Sequence, residues 1–110
     1  MISIEVIRKS KEFLEVISNG RKFTRSGVVI YYLKNSELDI LKFGISIKKQ
    51  SGNAVIRNKL RRQIRSLARD NFNKFTGIAM VVIIMNNNLK LDYMSLKEVF
   101  DSFDSYIKNK

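Results

Sequence analysis

The chain has 110 residues, 45% of them hydrophobic, with five glycines and no proline, the size and make-up of one folded domain spanning 1–110 and not of a disordered segment. Cysteine and histidine are both absent, which excludes disulfides, the usual zinc ligand sets, thiol nucleophiles and imidazole acid–base chemistry together. Against 10 acidic residues stand 21 basic ones, a net charge of +11, so a polyanionic partner is the first expectation.

The N-terminal MISIEVIRKSK has an apolar run too short for a secretory signal, and no segment reaches the roughly 18 apolar residues of a membrane span. A soluble, cytoplasmic protein is expected. The first predicted element is a helix over 10–18, with Ser10 as N-cap, Phe13, Val16 and Ile17 on one side, and Gly20 where the helix stops. GVVIYYL, 27–33, is β-branched and aromatic throughout and predicts a strand apolar on both faces. After a turn at KNSELD, LKFGISIKK alternates, with Leu41, Phe43, Ile45 and Ile47 toward a core and Lys42, Gly44, Ser46 and Lys48 toward water. A loop, QSGN, leads to Asn53 as cap of a long basic helix over about 54–72. GIAMVVIIM, 77–85, reads as a strand covered on both faces, NNN as a turn, and YMSLKEVFDSFDSYI, 93–107, as a closing amphipathic helix. The order is α-β-β-α-β-α: an α+β fold in which a small mixed sheet packs with helices as a two-layer sandwich.

The basic helix carries the clearest functional signal. With about 100° per residue and Ile56 at zero, Leu60, Ile64 and Leu67 form one apolar stripe within about 80°. Arg57, Asn58, Arg61, Arg62, Arg65 and Arg69 occupy an arc from about 100° to about 240°. Like charges lie three or four apart at 57/61, 61/65, 65/69, 59/62 and 62/65, and each such pair destabilises an isolated helix by about 0.2 to 0.5 kcal/mol. A solvated face normally mixes signs, whereas this one has only Asp70 nearby. Its arginines offer planar forks suited to phosphates and to stacking on bases. A lipid surface would need a free apolar face on this helix, and the apolar stripe is required for the core. No zinc finger, zipper or helix-turn-helix spacing is present, so RNA or single strands are favoured over duplex DNA.

The run Gly52-Asn53-Ala54-Val55, then Arg57-Asn58, Arg61-Arg62 and Arg65, resembles the signature of the bacterial ribonuclease P protein component. Phe13 upstream, Tyr31 in the first predicted strand, and Ser46 and Lys49 before the loop extend the resemblance over nearly the whole chain. It implies that the strands flanking the basic helix are parallel neighbours joined by a left-handed crossover of the ribosomal protein S5 domain 2-like type. That would be an exception to the usual right-handed rule. It also implies an accessory subunit of a ribonucleoprotein endoribonuclease that removes the 5′ leader of precursor tRNA. The catalytic RNA subunit would hold the active site and most of the Mg²⁺, with no tightly bound cofactor or metal in the protein.

By the same resemblance, Gly52, Asn53, Arg57, Asn58, Lys59, Arg61, Arg62, Arg65 and Arg69 would bind the RNA subunit. Phe13, Ile17, Tyr31, Ser46, Lys48 and Lys49 would hold the leader in a cleft between the first helix and the sheet. No membrane and no protein partner is implied. This sequence has Ile17 where the family often has a second aromatic, Gln50 at a commonly basic position, and Lys59 where arginine is usual. From the residues alone two alternatives stay open: a non-catalytic RNA-binding protein of ribosomal or assembly type, and a nuclease built on the isolated acids Glu5, Asp39 or Asp92.

Overall fold

The structure is a computed structural model that describes residues 4–35, 37–85 and 91–109. In chain order the elements are β1 (Ile4–Val6), α1 (Ser10–Asn19), β2 (Arg21–Arg25), β3 (Val28–Lys34), β4 (Leu41–Ile47), α2 (Ala54–Asp70), β5 (Ile78–Ile84) and α3 (Tyr93–Lys108). Short 3₁₀ turns at Lys49–Ser51 and Phe72–Lys74 flank α2. The strands form one five-stranded mixed sheet in the order β1-β4-β5-β3-β2. β4 and β5 are parallel neighbours, so α2 is the crossover between them, while β3 is antiparallel to both β5 and β2.

The alternation in the strands divides the core in two. Val28, Ile30 and Tyr32 of β3, Leu41, Phe43 and Ile47 of β4, and Ile78, Met80, Val82 and Ile84 of β5 pack with the apolar sides of α2 and α3. The opposite parity, with Val81 and Ile83 at its centre, packs with Ile7 and with Val16 of α1, and Phe13, Ile17, Val29, Tyr31 and Leu33 close around them. Helices α2 and α3 thus form the layer on one face, and α1 lies on the other. The larger core is rich in rings: Phe23, Tyr32, Phe75, Phe100, Phe103 and Tyr106 meet pairwise with centroids 5.0 to 6.4 Å apart. At this spacing tilted pairs add about 0.5 to 1.5 kcal/mol each beyond burial.

Several local expectations hold. Asn53 caps α2, its Oδ1 accepting the Ile56 N–H at 3.0 Å. Gly20 ends α1 with its N–H on Val16 O at 2.8 Å, and a Cβ there would lie 2.8 Å from the Tyr32 carbonyl oxygen, so glycine lets α1 close onto β3. Others are corrected. Ser10 is the first helical residue and not the cap, which falls on Lys9 without a side-chain bond. The basic helix ends at Asp70, and the turn after it is 3₁₀. Ile56 is 41% exposed, lying over the Gly52 backbone, where its methyl stands 2.9 Å from the place a Cβ would take; Ala68 is buried at the other end of the stripe instead. Met94, at an apolar position of the predicted closing helix, is 68% exposed and outside the core. The expected NNN turn lies outside the described residues.

β1 and β2 are the two strands that composition conceals. β1 has three residues, and β2, RKFTR, is an edge strand with four polar residues around Phe23, as expected where an exposed edge is protected by charge. Arg25 of β2 donates to Glu98 of α3 at 2.8 and 3.0 Å; this pairing raises the Arg25 pKa and lowers that of Glu98. The β2–β3 hairpin turns on Ser26 and Gly27, both at positive φ (54° and 79°), the geometry of a two-residue turn that favours Asn-Gly. Ser26→Asn should therefore stabilise the protein by a few tenths to about 1 kcal/mol. A rise in the urea midpoint at unchanged slope is the expected reading, and a fall would show that the serine hydroxyl matters more than the backbone.

Candidate nucleic-acid interface

Helix α2 lies with Leu60, Ile64, Leu67 and Ala68 buried and its cationic side outward. Arg62, Arg65, Arg69 and Asn58 are exposed, while Arg57 and Arg61 are half-buried. Arg57 Nε donates to Gly52 O at 3.1 Å and Arg61 donates to Asn58 Oδ1 at 3.0 Å. Both acceptors are neutral, so these bonds orient the guanidiniums without cancelling their charge. Among the described residues the ion pairs are Arg25–Glu98, Lys42–Glu12, Lys97–Asp101 and Lys108–Asp104, and none uses a basic residue of α2. Among the described residues, the like-charge repulsion foreseen on this face is therefore relieved by no ion pair. Gly52 at φ 144° shapes the loop that presents it.

Lys59 stands apart from this group. It borders a concavity of about 410 Å³ with Ile56, Leu60, Gln63, Leu91 and Asp92, on the flank toward α3. The Asp92 carboxyl there is held below the usual carboxylate range, chiefly by accepting the Ser95 N–H at 2.8 Å and to a lesser degree by the Lys59 charge.

The second group forms a trough on the α1 side of the sheet. The register places Gly44 beside Val81, Val81 beside Tyr31, and Tyr31 beside Lys22. The next row is Ser46, Ile83, Val29 and Thr24. Side chains in one row share a face, and neighbouring strands lie about 4.8 Å apart, so each row runs about 14 Å across the sheet. Phe13 of α1 reaches over the first row, its ring 2.8 Å from where a Gly44 Cβ would be; the supposedly wet side of β4 is thus roofed in its middle. Lys42 on the same side pairs with Glu12 of α1 at 3.3 Å. Phe13, Ile17, Tyr31 and Ser46 are half-buried, and Lys48 and Lys49 are exposed at the end of β4. The structure therefore gathers the expected leader residues around an apolar, ring-bearing floor with lysines at one end.

Two residues at the opposite end of this trough escaped sequence reasoning. Lys22 and Thr24 of β2 are exposed and stand beside Tyr31 and Val29. The signal available for them was the alternation within RKFTR around a single apolar residue. The hollow on the other flank of α1, about 360 Å³, is lined by Glu12 and Glu15 with Lys34 and Lys42, and its two carboxylates make it the poorer place for a polyanion. The acids considered for a nuclease serve elsewhere or stand alone: Asp92 caps α3, and Glu5 and Asp39 are exposed in β1 and the β3–β4 loop. Among the described residues no group of three or more acidic side chains is placed to hold a metal ion, and no helix is long and apolar enough to cross a membrane.

Comparison with known proteins bears on the family and the fold. A family model described as Ribonuclease P matches residues 1–108. The ribonuclease P protein component of Mycoplasma mycoides is 40% identical over 95 residues, covering 84% of this chain and 86% of that one. That of Mycoplasma capricolum is 36% identical over 105 residues, covering 94% and 95%. Among solved structures, a Staphylococcus aureus RNase P protein mutant with defective mRNA degradation activity superposes with a TM-score of 0.82 at 25% identity, over 94% of this chain and 87% of that one. The Thermotoga maritima RNase P protein gives 0.76 at 27%, over 90% and 94%. With a whole-chain family match, relatives above a third identical along most of their length, and the same fold, this chain belongs to the ribonuclease P protein family, the protein components of a tRNA-processing ribonucleoprotein.

Proposed function

We propose that this protein docks on the catalytic RNA subunit of ribonuclease P through the outer face of α2 and holds the single-stranded 5′ leader of precursor tRNA in the trough between α1 and the sheet. The observation that carries this reading is the separation of two anion-suited surfaces on opposite faces of one sheet. The outward arginine face of α2 lies on one side, and an apolar trough with Phe13, Tyr31 and flanking lysines lies on the other. A protein with one such surface binds one RNA element, and a protein with two can bridge a catalyst and its substrate.

Histidine and cysteine, two common side chains of acid–base and nucleophilic catalysis, are absent from the chain. Its contribution is to binding and orientation, which place the scissile bond against the catalytic centre. The Mg²⁺ ions that stabilise the developing charge are held mainly by the RNA subunit in this reading. Cationic side chains lower the Mg²⁺ concentration required, because arginine and lysine replace counterions at the RNA backbone. Work inside the cell, in the cytoplasm where precursor tRNA is made, is part of the same proposal.

Reconstitution tests the reading. The protein alone should cleave no precursor tRNA, and adding it to the RNA subunit at low Mg²⁺ should restore leader removal. Equal cleavage by the RNA with and without protein under those conditions would overturn the assignment and leave a general RNA-binding protein.

A further inference from the structure

The edge of the sheet next to α2 holds a small site that the docking of α2 does not by itself explain. β1 pairs with β4 only over Ile4–Val6, ending at Val6 opposite Phe43, with one further bond from Ile7 N–H to Phe43 O at 2.8 Å. β4 continues to Ile47 with no strand among the described residues beside it on that side. Successive residues of a strand present their N–H and C=O to alternate sides. Phe43 O faces β1 and Lys48 N–H faces Ile84 O of β5, so Ile45 and Ile47 direct their backbone groups outward where β1 has ended.

Beside this edge is a crevice of about 170 Å³ lined by Val6, Ile7, Phe43, Ile45, Arg61 and Arg65. Its walls are apolar although open to solvent, with Val6 43% exposed and Ile45 half-buried. No acid lines it. The volume is close to the roughly 150 Å³ of a cavity that accepts one benzene ring, and well below the roughly 300 Å³ at which pockets for larger ligands begin.

We propose that this crevice binds one unstacked base of an RNA strand, whose adjoining phosphate sits on Arg61 and Arg65. The inference rests on the reading that α2 faces RNA and adds to it a base-binding site. A base in a strand has two apolar faces, a polar edge and a phosphate a short distance away. The crevice offers apolar walls for the faces, strand-edge amides for the polar edge, and two guanidiniums for the phosphate. Arginine also stacks on base planes. A purely apolar ligand makes no use of the arginines.

The test compares binding of a short oligouridylate with a strand of the same length made of abasic riboses, using methyl-labelled protein. The base-bearing strand should bind about tenfold more tightly, and the Val6 and Ile45 methyl signals should shift with it and not with the abasic strand. Val6→Phe, which fills the crevice from the exposed edge and keeps both arginines, should reduce oligouridylate affinity to the abasic level. Shifts confined to Val29 and Ile83, in the trough, would overturn the proposal while leaving the leader reading intact. Equal affinity for the two strands would also overturn it. An Arg61→Ala/Arg65→Ala protein whose RNA binding keeps its full salt dependence would remove the α2 reading itself, a result distinct from either.

Discussion

With Arg61 and Arg65 both replaced by alanine, the salt dependence of binding to the RNA subunit should flatten by about 1.4 to 1.8 in log–log slope, from about 0.7 to 0.9 for each phosphate left unneutralised. The fall in affinity should be greatest at low salt and shrink as salt rises, since it is counterion release that is removed. The protein should not lose stability, because neither arginine has a carboxylate partner among the described residues and both repel neighbours four positions away, Arg65 also Arg62 at three. Removing them relieves the 57/61, 61/65, 65/69 and 62/65 repulsions, each about 0.2 to 0.5 kcal/mol. Filter binding over a salt series, with thermal melts of the free protein, reads both quantities. An unchanged slope would make the α2 face a solvated surface, and a lowered melting temperature would show that an internal partner had been overlooked.

Replacing Tyr31 with alanine should act on a different quantity, the preference of the reconstituted enzyme for tRNA with a leader over tRNA without one. Base stacking on an aromatic is worth about 1 to 3 kcal/mol, so the preference should fall between several-fold and about a hundredfold. Binding of leaderless tRNA and of the RNA subunit should be unaffected, because Tyr31 lies on the face of the sheet opposite α2. The ring is half-buried between Val81 and Lys22, so part of its area packs and part is offered to a ligand. Tyr31→Phe, which keeps the ring and removes the hydroxyl, should retain most of the preference. Equal losses for leader-bearing and leaderless tRNA would show that Tyr31 supports the fold and does not read the leader.

The arginine face was legible from sequence because it depends on a local period. Residues 57, 61 and 65 share a helix side wherever α2 packs, and Asn53 caps it through a bond three residues long. The three central strands were legible for the same reason, since their apolar runs and alternation are properties of consecutive residues. The stripe failed at Ile56, where burial depends on what lies opposite: Gly52 is beneath it, and the core is not. β1 and β2 were missed because an edge strand buries little and is kept polar, so its sequence resembles a loop.

The sequence by itself determined that this chain is strongly basic and has no histidine or cysteine, that its arginines are concentrated on one amphipathic helix, and which family pattern that helix carries. Composition and short-range periodicity suffice for each. Tertiary structure alone decided that α1 crosses the far face of the sheet with Phe13 over Gly44, and that Lys22 closes the row begun by Gly44, Val81 and Tyr31. It also decided that β1 stops short and opens a crevice beside Arg61 and Arg65. These are meetings of residues far apart in the chain, and they follow from strand order and register, which local spacing does not encode.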